Sequence, residues 1–275
     1  MYKLAVFDLD GTLLDKHHEI SEENLHAIKK LESKGCKIVI ATGRPDMLVK
    51  EYVKKLDVLE PVISCNGAMI RNPFTKEVVF KKVIGKEDVK DIIELCQKDH
   101  RIYMVYTEDA IISTDNYRTQ YFIERNQKLE KDSRANFIIE ENASYIAETY
   151  EVYKILVIEK DADKYLEMYE KFKSFSELTK VQSANGFYDI MPKNTSKKLA
   201  IDHLIDHYHI DISEVVAFGD NYNDLEMLKH AGTAITTANG VSAVKEIADF
   251  ISVDHNESGV SHAINTFLLK ENMEA

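Results

Sequence analysis

The chain contains 275 residues, of which 44% are hydrophobic and 30% are charged, a globular composition that excludes disordered, collagen-like and disulfide-framework proteins. Lys and Arg total 35 while Asp and Glu total 47, so the net charge is −12. Because an acidic chain is a poor electrostatic partner for nucleic acid or for an anionic membrane surface, we expect neither of them as a partner.

The first part of the chain, residues 1–82, alternates between short apolar runs and segments with helical spacing. The apolar runs predict buried strands, in chain order Lys3–Phe7, Cys36–Ala41 and Pro61–Cys65. The spacing of apolar residues predicts one helix that Ser21 caps and Gly35 ends, and a second helix over residues 47–56. A hairpin is expected over residues 69–80. This alternation predicts a parallel sheet, with the third strand as a member and with helices on its faces.

From about residue 84 the pattern changes to paired strands with interspersed helices. The predicted strands are Ile102–Tyr106, Ala110–Ser113, Phe137–Ile139, Val152–Ile158, Leu178–Ser183 and Phe187–Met191. The predicted helices are Glu87–Lys98, Tyr117–Leu129 and Asp161–Phe175. Such a mixture indicates an α+β unit separate from the first sheet, and we place it as an insert at residues 83–185.

After Pro192 the alternation of strands and helices resumes. The predicted strands are Val215–Phe218, Thr233–Ile235 and Phe250–Val253. The predicted helices are Ser196–His207, Asp224–His230, Ser242–Ala248 and Val260–Lys270. The simplest architecture is one α/β core formed by residues 1–82 and 186–275, with a second domain inserted between them.

Polar loops follow four of the predicted core strands. They are, in chain order, Asp8–Thr12, Thr42–Arg44, Asn66–Gly67 and Gly219–Asp224. In an open parallel sheet, ligands bind outside the carboxyl ends of the strands, so these loops are expected to meet at one edge. Carboxylates, amides, a hydroxyl and glycines would then converge from distant parts of the sequence, which predicts a functional site at that edge.

The acidic residues of these loops indicate a metal. Asp8 and Asp10 lie two residues apart, and in an extended chain their carboxylates would project to the same side, about 6–7 Å apart. Carboxylates so close repel each other, so a shared cation or proton is expected. Asp220 and Asp224 add negative charge. Oxygen ligands of this kind suit Mg²⁺, and the lack of His or Cys beside them disfavours zinc.

The cysteines and histidines do not indicate a second metal site. Cys36, Cys65 and Cys96 are far apart and form no CxxC spacing, which predicts a chain kept in the reducing cytoplasm. His203 and His207 have the i, i+4 spacing of metal ligands, but the sequence offers no third ligand beside them. No stretch approaches about 18 consecutive apolar residues, so we expect no membrane span.

Four motifs resemble those of the haloacid dehalogenase superfamily of phosphatases. In motif order they are Asp8-Leu9-Asp10-Gly11-Thr12, Ala41-Thr42-Gly43-Arg44, Met191–Lys197 and Gly219–Asp224. Two further segments, Ile63–Ala68 and Glu257–Val260, are similar to the Cof-type sugar-phosphatase branch. The resemblance covers nearly all of both core segments. It implies an α/β fold in which a Rossmann-like parallel-sheet core carries an inserted α+β cap domain.

The resemblance also implies Mg²⁺-dependent hydrolysis of a small phosphorylated metabolite, a sugar phosphate or related phosphomonoester, through an aspartyl-phosphate. In that reaction Asp8 would attack phosphorus and Asp10 would protonate the leaving alcohol. Thr42 and Lys197 would donate hydrogen bonds to the phosphoryl oxygens. The metal would be held by Asp8, the backbone carbonyl of Asp10 and the carboxylate of Asp220.

Further residues complete the predicted site. Asp224 is expected to orient Lys197 or the metal-bound waters. Gly43, Arg44 and Asn223 are candidates for substrate binding, and Arg44 either binds phosphate or anchors its own loop. Asn66 either serves its Asn-Gly turn or touches the ligand. The choice of substrate is expected to come from the insert. Its polar and aromatic residues either read the leaving group or form one ordinary helix face; they are Tyr117, Arg118, Tyr121 and Arg125.

Three other functions compete with hydrolysis. A phosphohexomutase of the same superfamily would interconvert hexose phosphates without releasing phosphate. A phospho-aspartate signalling receiver also uses an acidic Mg²⁺ pocket, but receivers are about half this length and have no inserted domain. A non-catalytic binding protein is disfavoured because all four motif positions keep reactive residues.

Overall fold

The computed structural model describes residues 2–269. Within that range the strands are β1 (Leu4–Phe7), β2 (Lys37–Ile40), β3 (Val62–Ser64), β4 (Met69–Arg71), β5 (Val78–Lys81), β6 (Ile102–Thr107), β7 (Ile111–Ser113), β8 (Phe137–Ile139), β9 (Val152–Ile158), β10 (Leu178–Ala184), β11 (Phe187–Pro192), β12 (Val215–Phe218), β13 (Thr233–Thr236) and β14 (Phe250–Ile251). The α-helices there are α1 (Glu22–Ser33), α2 (Lys50–Leu56), α3 (Lys86–Lys98), α4 (Tyr117–Gln127), α5 (Ala143–Thr149), α6 (Ala162–Phe172), α7 (Lys197–Tyr208), α8 (Leu225–His230), α9 (Ser242–Lys245) and α10 (Gly259–Ala263).

Both ends of the chain build one parallel sheet, in the order β14-β13-β12-β1-β2. Every neighbouring pair in it is parallel. The residues of β1 and β12 are all buried, because α1 and α10 pack on one face of the sheet and α7 and α8 on the other. This is why those strands read in the sequence as unbroken apolar runs. The predicted α/β core is confirmed.

The third predicted strand does not extend the parallel sheet. β3 pairs antiparallel with β4, which pairs with β5 in a separate three-stranded sheet. Beside β2 it makes only one bridge, Ala41 with Ile63, where the Thr42 N–H donates to the Ile63 carbonyl at 2.8 Å. The predicted third strand is therefore present and runs parallel to β2, but this single bridge is its link to β2, and its ladder of hydrogen bonds is with β4.

The middle of the chain forms a six-stranded sheet in the order β10-β11-β9-β6-β7-β8, antiparallel except for the pair β7–β8. Side chains on β9 alternate between its two faces. Ile155 and Val157 pack with the helices α3, α5 and α6. Leu156 and Ile158 point the other way and pack with Met47 and neighbouring residues of the first 82. One face of this sheet is therefore covered by helices, while the other lies against the core. The predicted α+β unit is confirmed.

The strand pairing disagrees with the predicted end of the insert at residue 185. β11 pairs with both β10 and β9, so it belongs to the antiparallel sheet by its hydrogen bonds. A boundary between residues 185 and 186 would separate two strands of one hairpin. We therefore propose that the inserted domain ends after Pro192, and its start at residue 83 remains a prediction.

Several predicted helices differ in their ends. Residues 46–48 form a 3₁₀ turn that Val49 separates from α2, so the helix predicted over residues 47–56 is broken. No helix was predicted where α5 lies. After α10 a π-helical turn covers Ile264–Leu268, and the predicted end at Lys270 lies outside the described residues. Among the described residues, no helix is both long and apolar enough to cross a membrane.

Candidate active site

Loops from four parts of the chain meet beyond the carboxyl ends of β1, β2 and β12. Asp8 directly follows β1, and Lys197 is the first residue of α7, after its N-cap Ser196. The Lys197 Nζ donates to Asp8 Oδ1 at 2.5 Å and to Asp224 Oδ1 at 2.6 Å. The Thr12 Oγ1 donates to Asp220 Oδ1 at 2.8 Å. The predicted convergence of the first, third and fourth motifs is thus present as direct contacts.

Lys197 is a fully buried cation between two carboxylates, with its side chain 0% exposed. Burial alone would lower the pKa of its ammonium, but Asp224 and Asp8 outweigh that effect and raise the pKa above its ordinary value. The side chain therefore carries a positive charge between the two carboxylates.

Three buried carboxylates crowd together around this lysine. Oxygen atoms of Asp8, Asp220 and Asp224 lie within 4.8 Å of one another. Burial, together with the neighbouring carboxylates, raises the pKa of Asp8 well above its ordinary value and that of Asp220 to about 7. These raised pKa values mean that burial and mutual repulsion disfavour the ionised carboxylates. A cation bound among them would offset that repulsion, so the cluster suits a cation.

The donor set fits Mg²⁺, a hard ion that takes oxygen ligands. Asp224 is already committed, because its Oδ1 accepts from Lys197 and its Oδ2 accepts from the backbone N–H groups of Asp220 and Asn221. Asp8 and Asp220 each use only one carboxylate oxygen in side-chain hydrogen bonds among the described residues. This division favours Asp8 and Asp220 as ligands, and of the two roles predicted for Asp224 it favours orienting Lys197 over orienting metal-bound waters.

Gly11 makes room for Asp220. Its φ of +87° is in the left-handed region, and a Cβ built there would overlap Asp220 Oδ2. Gly11→Ala should lose about 1–2 kcal/mol of unfolding free energy from backbone strain, and should also raise the Mg²⁺ concentration needed for half-maximal activity. Gly35→Ala is the matched control, because Gly35 has a φ of +85° but no heavy atom within 4 Å of such a Cβ. Urea unfolding and Mg²⁺ titrations of both variants test this, and equal Mg²⁺ requirements would contradict it.

Asp10 forms a two-pronged ion pair with Arg44. The Arg44 Nε donates to Asp10 Oδ2 at 2.8 Å and its Nη2 donates to Oδ1 at 2.5 Å. Desolvation in the cleft opposes ionisation of Asp10, but Arg44 and His18 outweigh it and hold the pKa of this carboxyl well below its ordinary value. The low pKa keeps Asp10 ionised while Arg44 contacts it. An acid role for Asp10 therefore requires that Arg44 first move to another anion.

Six residues of the predicted core site line a cavity of about 640 Å³, whereas Lys197, Asp220 and Asp224 do not. Those lining it are Asp8, Asp10, Thr42, Gly43, Arg44 and Asn223, together with Arg118, Tyr121 and Arg125 of α4. Tyr117 does not line it and is 76% exposed. His203 stacks on Phe80 at 3.9 Å, away from the carboxylate cluster.

Two charged residues of the cavity wall were missed in the sequence. Lys154 of β9 and Asp189 of β11 form a buried ion pair at 2.9 Å. The Lys154 Nζ also donates to the Gly43 carbonyl at 2.6 Å, and the Asn66 Nδ2 donates to Asp189 Oδ2 at 2.8 Å. Asn223 in turn donates to Asn66 Oδ1 at 3.1 Å. The sequence did contain a signal for this pair, because the apolar strands β9 and β11 each contain one charged residue.

Asn66 owes this position to a strained turn. Cys65, Asn66 and Gly67 all have positive φ, of 50°, 54° and 102°. Such a run for non-glycine residues costs free energy and persists only where the surroundings enforce it. Here the turn directs the Asn66 amide toward Asp189 and Asn223 rather than into the cavity, so Asn66 links the core to the antiparallel sheet.

Known proteins resemble this chain over nearly its whole length. The haloacid dehalogenase-like hydrolase family matches residues 5–264. YxeH of Bacillus subtilis is 34% identical over an alignment of 280 positions that covers 98% of this chain and 99% of that protein. YwtE of Bacillus subtilis, named as a 5-amino-6-(5-phospho-D-ribitylamino)uracil phosphatase, is 29% identical over 97% of this chain and 98% of its own. The solved structure of the HAD subclass IIB sugar phosphatase BT4131 has a TM-score of 0.82 at 26% identity, covering 97% of this chain and 99% of that chain.

Proposed function

The chain belongs to the haloacid dehalogenase-like hydrolases as a phosphatase of the Cof type, and from this premise we propose that it hydrolyses a small phosphorylated metabolite with the help of Mg²⁺. The observation that carries the proposal is the buried Lys197 between Asp8 and Asp224, beside Asp220 and below the cavity. This arrangement supplies a nucleophile, a fixed cation and spare oxygen ligands within one site.

The proposed reaction has two steps. The Asp8 Oδ2 attacks phosphorus while the bond from phosphorus to the ester oxygen breaks, and the leaving oxygen takes a proton from Asp10 after Arg44 has moved from Asp10 to another anion. A water then attacks the same phosphorus, Asp10 takes one of its protons, and the Asp8 carboxylate is released with inorganic phosphate. Lys197 and Thr42 hold the phosphoryl oxygens. Catalysis of this kind is mostly positioning and charge stabilisation.

Asp8, Asp220 and the Asp10 backbone carbonyl are the residues that would hold Mg²⁺. When bound, the ion offsets the repulsion between the nucleophilic carboxylate and the phosphate dianion. Asp224 keeps Lys197 directed at the same place, through the contact at 2.6 Å. Thr12 fixes one oxygen of Asp220 and leaves the other free.

The proposed substrate class is a sugar phosphate or related phosphomonoester. The sugar-phosphatase name of one structural neighbour and the phosphorylated ribityl compound in the name of YwtE support a small phosphorylated substrate. The cavity of about 640 Å³ has room for such a molecule. The three cysteines are free and buried, which supports the cytoplasm as the location.

Release of free phosphate tests the proposal. The purified chain should release inorganic phosphate from p-nitrophenyl phosphate and from hexose phosphates, and EDTA should abolish the release. Conversion of one hexose phosphate into another without free phosphate would instead show a mutase. Turnover that EDTA does not change would contradict the metal part of the proposal.

Mg²⁺ should also stabilise the protein without any substrate. At a free concentration 100 times its Kd, a ligand adds about 2.7 kcal/mol to the free energy of unfolding, so the thermal midpoint should rise when Mg²⁺ replaces EDTA. Asp220→Asn should remove most of this rise because it removes one of the two proposed carboxylate ligands. Asp206→Asn, at an exposed position of α7, is the matched control and should keep the full rise. Equal rises in both variants would contradict Asp220 as a ligand.

A further inference from the structure

One wall of the active-site cavity carries cations that the reaction described above does not use. α4 contributes Arg118, Tyr121, Phe122 and Arg125 to the lining. Arg118 and Arg125 are seven residues apart, which is two helical turns, so they lie on the same face of α4. The cavity also contains Asp8, so a molecule whose phosphoryl group meets Asp8 would extend toward this wall.

Neither guanidinium has an anionic partner within residues 2–269. Arg118 and Arg125 make no ion pair and no side-chain hydrogen bond there, and the Arg118 Nε is buried without an acceptor. A buried donor without a partner costs free energy, more so when it carries charge. Arg118 is therefore expected to gain from an anion brought by a ligand.

The carboxylates of the cavity are mostly committed elsewhere. Asp8 is paired with Lys197, Asp10 with Arg44 and Asp189 with Lys154. Glu51 of α2 is the one lining carboxylate that makes no ion pair within the described part of the chain. Two unpaired cations thus face one unpaired carboxylate.

Aromatic rings hold the Arg118 guanidinium in place. Its centre lies 4.8 Å from the ring of Phe187 and 5.7 Å from the ring of Phe122. Stacking on ring faces leaves the in-plane N–H groups free to donate. A guanidinium fixed in this way presents a planar fork, the geometry that carboxylates and phosphates accept from two sides.

We propose that Arg118, assisted by Arg125, binds a second anionic group on the leaving alcohol. The substrate class would then be a phosphomonoester that also carries a carboxylate or a second phosphate. This inference rests on the proposed function, since it places the reacting phosphoryl group at Asp8 and the second oxyanion at α4.

Matched pairs of substrates test the inference. 6-Phosphogluconate and sorbitol 6-phosphate differ only by a carboxylate in place of a hydroxymethyl group. Fructose 1,6-bisphosphate and fructose 6-phosphate differ by a second phosphate. We expect kcat/KM to be at least about 10-fold higher for the doubly anionic member of one pair, the effect of one charge-assisted contact. The pair that shows the preference identifies the group as carboxylate or phosphate.

Substitution of Arg118 should reduce this preference. Arg118→Gln is expected to lower the ratio of kcat/KM between the two members at least about 10-fold, because only the doubly anionic member loses a contact. Arg118→Lys should restore part of the ratio by keeping the charge. Lys128→Gln is the matched control, since Lys128 is an exposed cation at the end of the same helix and does not line the cavity; its ratio should stay that of the wild type.

The outcomes separate the inference from the proposed function. Absence of turnover with every phosphomonoester would overturn the proposed function itself. Turnover with equal kcat/KM for both members of both pairs would overturn the inference and leave the function intact. An equal loss for both members in Arg118→Gln would also overturn it, because a merely structural arginine would affect both substrates alike.

Discussion

Asp8→Asn should lower kcat/KM for p-nitrophenyl phosphate at least about 10³-fold, the scale on which removal of a nucleophile acts. An amide keeps the shape of the side chain but is a far weaker nucleophile than a carboxylate. The Lys197 ammonium, which lies 2.5 Å from Asp8 Oδ1, would remain paired with Asp224 at 2.6 Å. The variant therefore removes the attacking group and leaves the cationic pocket.

Stability of this variant separates chemistry from folding. Burial and two neighbouring carboxylates raise the pKa of Asp8 above its ordinary value, so ionised Asp8 opposes folding in the absence of metal. An uncharged amide removes that opposition. The thermal midpoint of Asp8→Asn in EDTA should be at least as high as that of the wild type, and its loss of activity would then come from the chemical step.

A surface variant gives the matched control for this experiment. Asp57 ends α2 in the left-handed conformation, with a φ of 52°, a conformation that Asn also tolerates. Asp57→Asn makes the same chemical change on the protein surface and should keep wild-type kcat/KM. Activity of Asp8→Asn within 10-fold of this control would show that Asp8 is not the nucleophile.

Lys154→Met should lower the free energy of unfolding by about 3–5 kcal/mol, the cost of leaving a buried charge without its partner. The side chains of Lys154 and Asp189 are 4% and 0% exposed, and their charged atoms lie 2.9 Å apart. Methionine fills a similar volume but leaves the Asp189 carboxylate with only the Asn66 amide. It also leaves the Gly43 carbonyl without the Lys154 donor.

The same substitution at an exposed pair calibrates the effect. Lys81 and Glu151 form an ion pair at 2.6 Å, but their side chains are 41% and 53% exposed. Lys81→Met should therefore cost less than about 1 kcal/mol. Urea unfolding of both variants measures the difference. Comparable losses at the two positions would mean that the pair of Lys154 and Asp189 is not a buried, desolvated contact.

Restoring neutrality should recover part of the loss. The double variant that combines Lys154→Met with Asp189→Leu has no uncompensated carboxylate. Apolar replacements of buried ion pairs are often close to neutral in their effect on the free energy of unfolding. The Gly43 carbonyl would still lack the Lys154 donor, and the Asn66 amide would now lose its Asp189 acceptor as well. We expect the double variant to be more stable than Lys154→Met, and a further loss would contradict this explanation.

The core and the four motifs could be predicted because their signals are local. A buried parallel strand must be apolar over several successive residues, so β1 and β12 were recognisable as such. The loops after them are polar because they end at a sheet edge where ligands bind. The Asp8, Asp10, Asp220 and Asp224 positions follow from these rules and from the resemblance, and their roles as nucleophile, acid or ligand remain predictions.

The contacts between distant segments could not be predicted in this way. That Lys197 joins Asp8 to Asp224, and that Arg44 pairs with Asp10, depends on how loops far apart in sequence approach each other. Nothing in β9 or β11 alone says that Lys154 will meet Asp189, because burial of a charge is acceptable only when a partner from another strand arrives.

The sequence by itself determined an acidic α/β chain with an inserted unit, four motifs and a cluster of carboxylates suited to Mg²⁺. Only the tertiary structure decided that β3 forms its ladder with β4, that β11 pairs with β9 in the six-stranded sheet, and that Arg118 lines the same cavity as Asp8. The physical reason is that periodicity reports which face of an element is buried, whereas strand pairing and charge pairing depend on the element that covers that face.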